Sequence, residues 1–321
     1  MVTAAVASLA ATTCSTGTTL AAGHAIPTVR AATVSSSVAT PTVATGAVVT
    51  PTSLPVVDPL QQDESWVTTS IAITVDGLDR RYVVLRPRTP TGPLPVLVVL
   101  HGRWVDPEVE VRRTDFAAVT GPAILVYPAG FGQSWNAGAC CGPAHDAGVD
   151  DVAFVAAVIQ QVLADQPGAA PDHVYLAGYS NGGKLAYALA CAKPELFAGV
   201  AAVGAVPVAT CASTTAVPFI VVSNRGDPEL SQSDADPPQS VNGFTMPSVA
   251  ATVDQLRVRN GCSATSADAT SGSVTTTSFA NCGSADSVLR VTYDADNHDW
   301  PAGDAQTPTA ASLIWNFFLS T

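Results

Sequence analysis

Residues 172–191 read DHVYLAGYSNGGKLAYALAC, and the meaning of this stretch decides the fold. Its first part is a short continuous apolar run, the mark of a strand buried on both faces. Its last part, NGGKLAYALAC, suits a helix. Between them Gly178-Tyr179-Ser180-Asn181-Gly182 matches G-x-S-x-G. Alone the pentapeptide is weak, because a chain rich in glycine and serine produces it by chance. A strand running in and a helix running out supply the strand-turn-helix setting of a nucleophile elbow. Gly178 and Gly182 suit a turn so tight that side chains there would clash, and the strain holds the Ser180 hydroxyl clear of the backbone. Ser180 is therefore expected at the carboxyl edge of a sheet.

The surrounding sequence supports that sheet. Residues 66–88, WVTTSIAITVDGLDRRYVVLRPR, alternate with period two around Asp76-Gly77 and predict an antiparallel hairpin. PVLVVL (95–100), AILVYP (123–128), FAGVAAVG (197–204), PFIVVS (218–223) and SVLRVTYD (287–294) read as further strands. Helices are predicted at VDDVAFVAAVIQQVLA (149–164), near 247–259 and over AQTPTAASLIWNFFLS (305–320). In the first of these, Val152, Val155, Val158, Ile159 and Val162 share one stripe, and Asp150 and Asp151 stand where a helix N-terminus favours negative charge. Strands alternating with helices predict an α/β domain, a mostly parallel central sheet covered on both faces, over residues 66–321. Residues 15–65, dominated by Ala, Thr, Val, Ser and Pro, have neither period and read as an extended disordered tether. Residues 1–14 resemble part of a signal segment, without the basic residues that normally precede the apolar stretch.

Composition excludes several classes of function. A formal net charge of -12 with only 14 Lys plus Arg leaves no basic face for nucleic acid. No apolar run is long enough to span a bilayer. Of the seven cysteines, Cys191 with Cys211 and Cys262 with Cys282 read as two disulfides, and none has zinc-site spacing, so no metal is expected. For Cys140 and Cys141, a vicinal bridge competes with a long-range one. Cys14 is the odd cysteine and a weak lipid-anchor site, since Thr13 is a poor residue before it. Disulfides favour an exported protein, secreted or held at the cell envelope; a monomer is expected.

A serine hydroxyl attacks well only when a histidine, held in one tautomer by a carboxylate, removes its proton. Of five histidines, His24 lies in the tether, His173 on the nucleophile's own strand, and His101 and His145 precede the serine, against the Ser-acid-His order of this architecture. His298, after the last predicted strand, remains. Asp227, just after the apolar run 219–222, is the expected acid; Asp294 and Asp296, beside His298, are the alternatives, and Glu229, Asp234 and Asp236 read as solvated loop charges. The oxyanion needs two backbone N–H donors. Asn181 supplies one, and Arg103 or Trp104 in VLVVLHGRWVD the other, with Arg103 preferred.

Taken together, LHGR, SWNAGACCGPAHDAGVDDVAFV, VYLAGYSNGGKLAYALAC, FAGVAAVGA, NGC and HDWPAGD, in this order over residues 96–303, resemble the secreted alpha/beta-hydrolases of the polyhydroxybutyrate depolymerase and feruloyl esterase family. The resemblance implies an alpha/beta-hydrolase fold, a Ser180-Asp227-His298 triad, ester hydrolysis through an acyl-enzyme, and no cofactor. It departs at Ser223-Asn224-Arg225-Gly226-Asp227, where the family resembles His-Gly-Thr-x-Asp, and at Asp296-Asn297, where glycines are usual and a narrower acyl pocket is implied. Trp135, Asn136 and Trp300 fall in matched loops and are expected to line the substrate cleft, tryptophan being suited to stack on sugar or aromatic rings. The expected substrate is an acylated polysaccharide of the feruloyl or acetyl xylan type. Hydroxyalkanoate oligomers, a C–C or peptide bond, and a non-catalytic envelope-tethered binding domain are the alternatives.

Overall fold

The computed structural model describes residues 65–282 and 287–321. The segments 1–14 and 15–64, and with them Cys14 and His24, lie outside the described residues. In chain order the elements are β1 (Trp66–Val75), β2 (Leu78–Pro87), β3 (Leu94–Leu100), α1 (Pro107–Thr114), β4 (Ile124–Pro128), α2 (Gly142–Asp146), α3 (Asp151–Asp165), β5 (Ala169–Tyr179) and α4 (Asn181–Ala192). There follow β6 (Gly199–Val203), β7 (Phe219–Asn224), β8 (Ser240–Val241), β9 (Phe244–Thr245), α5 (Val249–Arg259), β10 (Ser266–Ser271), β11 (Val274–Phe279), β12 (Val288–Tyr293) and α6 (Ala310–Phe318).

Ten strands form one sheet in the order β1-β2-β4-β3-β5-β6-β7-β12-β11-β10. The inner strands from β4 to β12 run parallel. An antiparallel pair closes each edge, β1–β2 at one and β10–β11 at the other. This is the mostly parallel sheet that the alternation of strands and helices predicted, in the alpha/beta-hydrolase fold that the family resemblance implied. Its inner strands are apolar throughout because both faces are covered: Val96, Val98, Val174, Leu176, Val200 and Ala202 join the core on one face, and their neighbours Leu97, Val99, Tyr175, Ala177, Ala201 and Val203 join the core on the other. Helices α3, α4 and α5 pack on the first face through residues such as Phe154, Leu185 and Val253. Helices α1 and α6 pack on the second through Val111 and Ile314.

The first hairpin turns at Asp76-Gly77, both with positive φ, as a two-residue turn compatible with strand twist requires. In α3, Phe154 joins the buried stripe and Val152 is only half-buried. Asp150 caps the helix by accepting from the Ala153 amide at 2.8 Å. Asp151 is no solvent-facing dipole partner. It is buried, bound to Arg80 at 2.8 Å, and accepts from the Asn136 amide at 2.7 Å.

All six described cysteines are paired, Cys191 with Cys211, Cys262 with Cys282, and Cys140 with its neighbour Cys141. The second bridge ties the chain on either side of the β10–β11 hairpin. Protein folded under oxidising conditions and denatured without reductant should therefore titrate at no more than one thiol per chain, from Cys14. Four or more titratable thiols would contradict the pairing. No helix among the described residues is long and apolar enough to cross a membrane.

Candidate active site

Strand β5 delivers the chain to Ser180, whose backbone at φ 51° and ψ -114° is the strained joint between β5 and α4. Its amide donates to the Val203 carbonyl at 2.8 Å, which fixes the turn on the neighbouring strand β6. The glycines around it are sterically required: a Cβ on Gly178 would lie 2.3 Å from the Gly182 carbonyl oxygen, and one on Gly182 would lie 2.3 Å from that of Leu100.

The three expected side chains meet at this joint. Ser180 Oγ is 2.9 Å from His298 Nε2, and His298 Nδ1 is 2.7 Å from Asp227 Oδ2. The other Asp227 oxygen accepts from the Glu229 amide at 2.9 Å, and the carboxylate is buried. With Nδ1–H donating to the carboxylate, Nε2 is left as the acceptor facing the serine. Asp294 instead pairs with Arg225 at 3.3 Å, on the exposed surface. Asp296 is also exposed and lies against Gly226, where any Cβ would collide with it.

Two residues to which the sequence reading assigned no role hold the histidine loop. Asn224 Nδ2 donates to the Asn297 carbonyl at 3.0 Å, the Asn297 side-chain oxygen at 2.7 Å and the Asp299 carbonyl at 3.1 Å. The Tyr179 hydroxyl donates to the His298 carbonyl. Tyr179 is backed by Arg113, whose guanidinium stands 5.0 Å over its ring. Arg113 in turn binds buried Glu110 at 3.0 Å, whose carboxyl burial pushes up to about 7 against the pull of that arginine. Asp296 and Asn297 do not narrow an acyl pocket. They turn toward Gly226 and Asn224 and lie outside the cleft wall.

The loop after β3 folds under the elbow. Trp104 donates its amide to the Gln133 carbonyl at 2.7 Å, whereas the Arg103 amide has no acceptor among the described residues. The Asn181 amide opens α4, where intrahelical acceptors are lacking. The Asn181 side chain has a scaffolding job, exchanging two hydrogen bonds with the Trp135 backbone at 2.8 and 3.0 Å.

His101 anchors the same loop. Its Nδ1 donates to the Gly102 carbonyl at 2.7 Å, and its Nε2 accepts from the Gly130 amide at 2.9 Å. Burial lowers its pKa to about 4. A histidine held neutral when folded, but free to protonate near its ordinary value of about 6.5 when unfolded, contributes stability above that value and loses it as pH falls toward 4. We expect His101→Gln to cost about 2 kcal/mol at pH 7, with the gap to wild type closing between pH 6.5 and 4. Denaturant midpoints at pH 7, 5.5 and 4 check this; a gap constant across the range would contradict it.

The cleft over Ser180 has a volume of about 400 Å³ and is walled by Arg103, Trp104, Tyr179, Lys184, Glu229 and Val241, among others. The expected lining residues are elsewhere. Trp135 is fully buried, donates its indole N–H to the His101 carbonyl at 2.8 Å and packs on His101 and Phe154. Asn136 holds its own loop, through Asp151 and the Val149 carbonyl. Trp300 is buried edge-on against Phe116 and Tyr179. The tryptophan in the cleft is Trp104, 59% exposed. Its neighbour Glu229 is no remote loop charge, for its carboxylate reaches within 3.5 Å of His298 Nε2. Asp234 and Asp236 serve the loop itself, accepting from the Ser248 hydroxyl and the Ser233 amide.

No protein-family model matches the chain. "Putative esterase NocK" of Nocardia uniformis subsp. tsuyamanensis is 32% identical over 269 residues, 74% of this chain and 75% of that protein. Among solved structures, a thermostable esterase is 20% identical with a TM-score of 0.41, covering 50% of this chain and 47% of its own. The native form of sOPH is 16% identical with a TM-score of 0.49, covering 78% of this chain and 86% of its own. The chain thus spans about half the length of the first of these structures and three-quarters of its curated relative. On the strength of that relative, the chain belongs to the esterase-like alpha/beta-hydrolase family.

Proposed function

We propose that this carboxylic ester hydrolase works through an acyl-enzyme on Ser180, with acylated polysaccharide of the feruloyl or acetyl xylan type as substrate. The carrying observation is the continuous hydrogen-bonded line from Ser180 Oγ through His298 to buried Asp227. Ser180 Oγ attacks the ester carbonyl while His298 Nε2 takes its proton, and Asp227 stabilises the imidazolium that forms. The oxyanion accepts from the amides of Asn181 and Arg103, neither of which has an acceptor among the described residues. Collapse breaks the bond to the alcohol, which leaves with the proton from His298. Water then attacks the acyl-enzyme, gives its proton to the same nitrogen, and the acid is released with Ser180 restored.

Exposed Trp104 at the cleft supports a substrate carrying a sugar or aromatic ring, which stacks on indole. A second reading, hydroxyalkanoate oligomers, is favoured by a larger, partly apolar cavity that adjoins the cleft. Three disulfides support a protein that acts outside the reducing cytoplasm, secreted or at the cell envelope. Purified protein assayed on methyl ferulate, acetylated xylan, short p-nitrophenyl esters and hydroxybutyrate oligomers tests the reading. Turnover of the short esters with methyl ferulate or acetylated xylan supports it. Turnover of the oligomers alone replaces it with the second, and turnover of none contradicts both.

A further inference from the structure

Beside the catalytic cleft lies a cavity of about 920 Å³, near the upper end of the range for small-molecule sites. Lys184 and Met246 line both spaces, so the two are neighbours across a shared wall. One side of the larger cavity is α4, through Tyr187 and Ala188. The loop after β6, pinned to α4 by Cys191–Cys211, the segment from β9 to Pro247 and helix α5 supply further walls. Val208, Phe244, Met246 and Leu256 give it an apolar body.

Its charges are unusual for an acidic chain. Lys184 is buried, and its ammonium makes no hydrogen bond or ion pair among the described residues; burial lowers its pKa against the opposing pull of Glu229. Arg259 donates from Nε to Asn260 at 3.2 Å, but its buried Nη2 has no hydrogen-bond partner among the described residues. Asp254, the acidic side chain in the lining, is already bound to Arg257 at 2.6 Å. Arg259 and Lys184 therefore share an apolar cavity in which the carboxylates that favour the lysine's charge, Glu229 and Asp227, belong to the catalytic side, and the one acidic side chain of the cavity lining is already spent, in a protein of formal net charge -12. A buried cation without a partner is strongly unfavourable, and a ligand anion offsets that cost.

We propose that this cavity takes the far arm of the ester substrate, an apolar body ending in a carboxylate that is held by Arg259 and Lys184 while the ester carbonyl sits at Ser180. The inference rests on the ester-hydrolase reading for the position of the scissile bond. The arm binds in both ground and transition states, so its effect belongs mainly in KM.

Two substrates of equal length separate charge from apolar contact, p-nitrophenyl hydrogen azelate and p-nitrophenyl nonanoate. Wild type should favour the azelate in kcat/KM by about tenfold or more, the scale of one desolvated charge pair. Arg259→Met and Lys184→Met should each bring that ratio toward one, read within each variant so that any general loss of rate cancels. Equal rates on the two esters in wild type, or an unchanged ratio in both folded variants, would overturn the proposal. Calorimetric titration of wild type with nonanoate and with uncharged nonanamide needs neither turnover nor a variant. Nonanoate should bind at least about tenfold more tightly, and equal affinities overturn the proposal. Should no ester turn over, p-nitrophenyl acetate included, the esterase reading fails and the titration alone decides the cavity.

Discussion

Ser180→Ala should lower ester hydrolysis by about 10⁴-fold or more, the scale seen when a triad loses its nucleophile. The change removes one hydroxyl whose contact in the site is His298 Nε2 at 2.9 Å. No cavity of consequence forms, and the glycines that permit the turn are untouched, so stability should shift by only about 1 kcal/mol. His298→Ala should cost nearly as much in rate, and the double variant little more than either single one, because nucleophile and base act as a unit. The measurement is kcat/KM on p-nitrophenyl acetate together with thermal midpoints. A folded Ser180→Ala protein that kept more than about a tenth of the wild-type rate would remove Ser180 from the chemistry, since triad nucleophile loss leaves far less.

The sequence made the centre of the molecule legible because its signals are local there. Continuous apolar runs marked strands with two covered faces, and Gly178, Ser180 and Gly182 marked a turn that steric contact with Leu100 enforces. The same local reading missed α1, whose buried face carries Glu110 and Thr114 beside Val111, so no apolar stripe appears. It also predicts no strand over residues 266–279. They form the β10–β11 hairpin, with β10 exposed along its whole length and hence without alternation. Trp135 and Trp300 were misplaced because a matched loop does not reveal which face of it is turned inward. Trp135 is buried by hydrogen bonds to Asn181 and His101, partners distant in sequence. The two departures from the family pattern explain each other in space: Asn224 stands near the acid, Asn297 near the base, and their side chains are hydrogen-bonded at 2.7 Å. Neither position alone carries that information.

The identity of the acid is where departure from the family pattern bears on mechanism, and three substitutions separate the alternatives. Asp227→Asn should lower the rate by roughly 10³ or more. Its carboxylate is buried, with Oδ2 at 2.7 Å from His298 Nδ1 and Oδ1 fixed by the Glu229 amide. An amide in that place presents an N–H to the ring nitrogen, favours the tautomer with the proton on Nε2, and so removes the acceptor that Ser180 needs. Asp294→Asn and Asp296→Asn should each change the rate less than about tenfold, a perturbation of about 1.4 kcal/mol. Asp294 is largely exposed and spends its charge on Arg225, in solvent where screening leaves little of it. Asp296 lies against Gly226 and makes no contact behind the imidazole. Glu229, though 3.5 Å from Nε2, approaches the nitrogen that faces the serine and cannot set the tautomer from there. Steady-state kinetics on the three single variants, each checked for folding by its thermal midpoint, decide the matter. A nearly neutral Asp227→Asn beside a severe Asp294→Asn or Asp296→Asn would leave the serine and histidine in place and move the acid to the histidine's own loop.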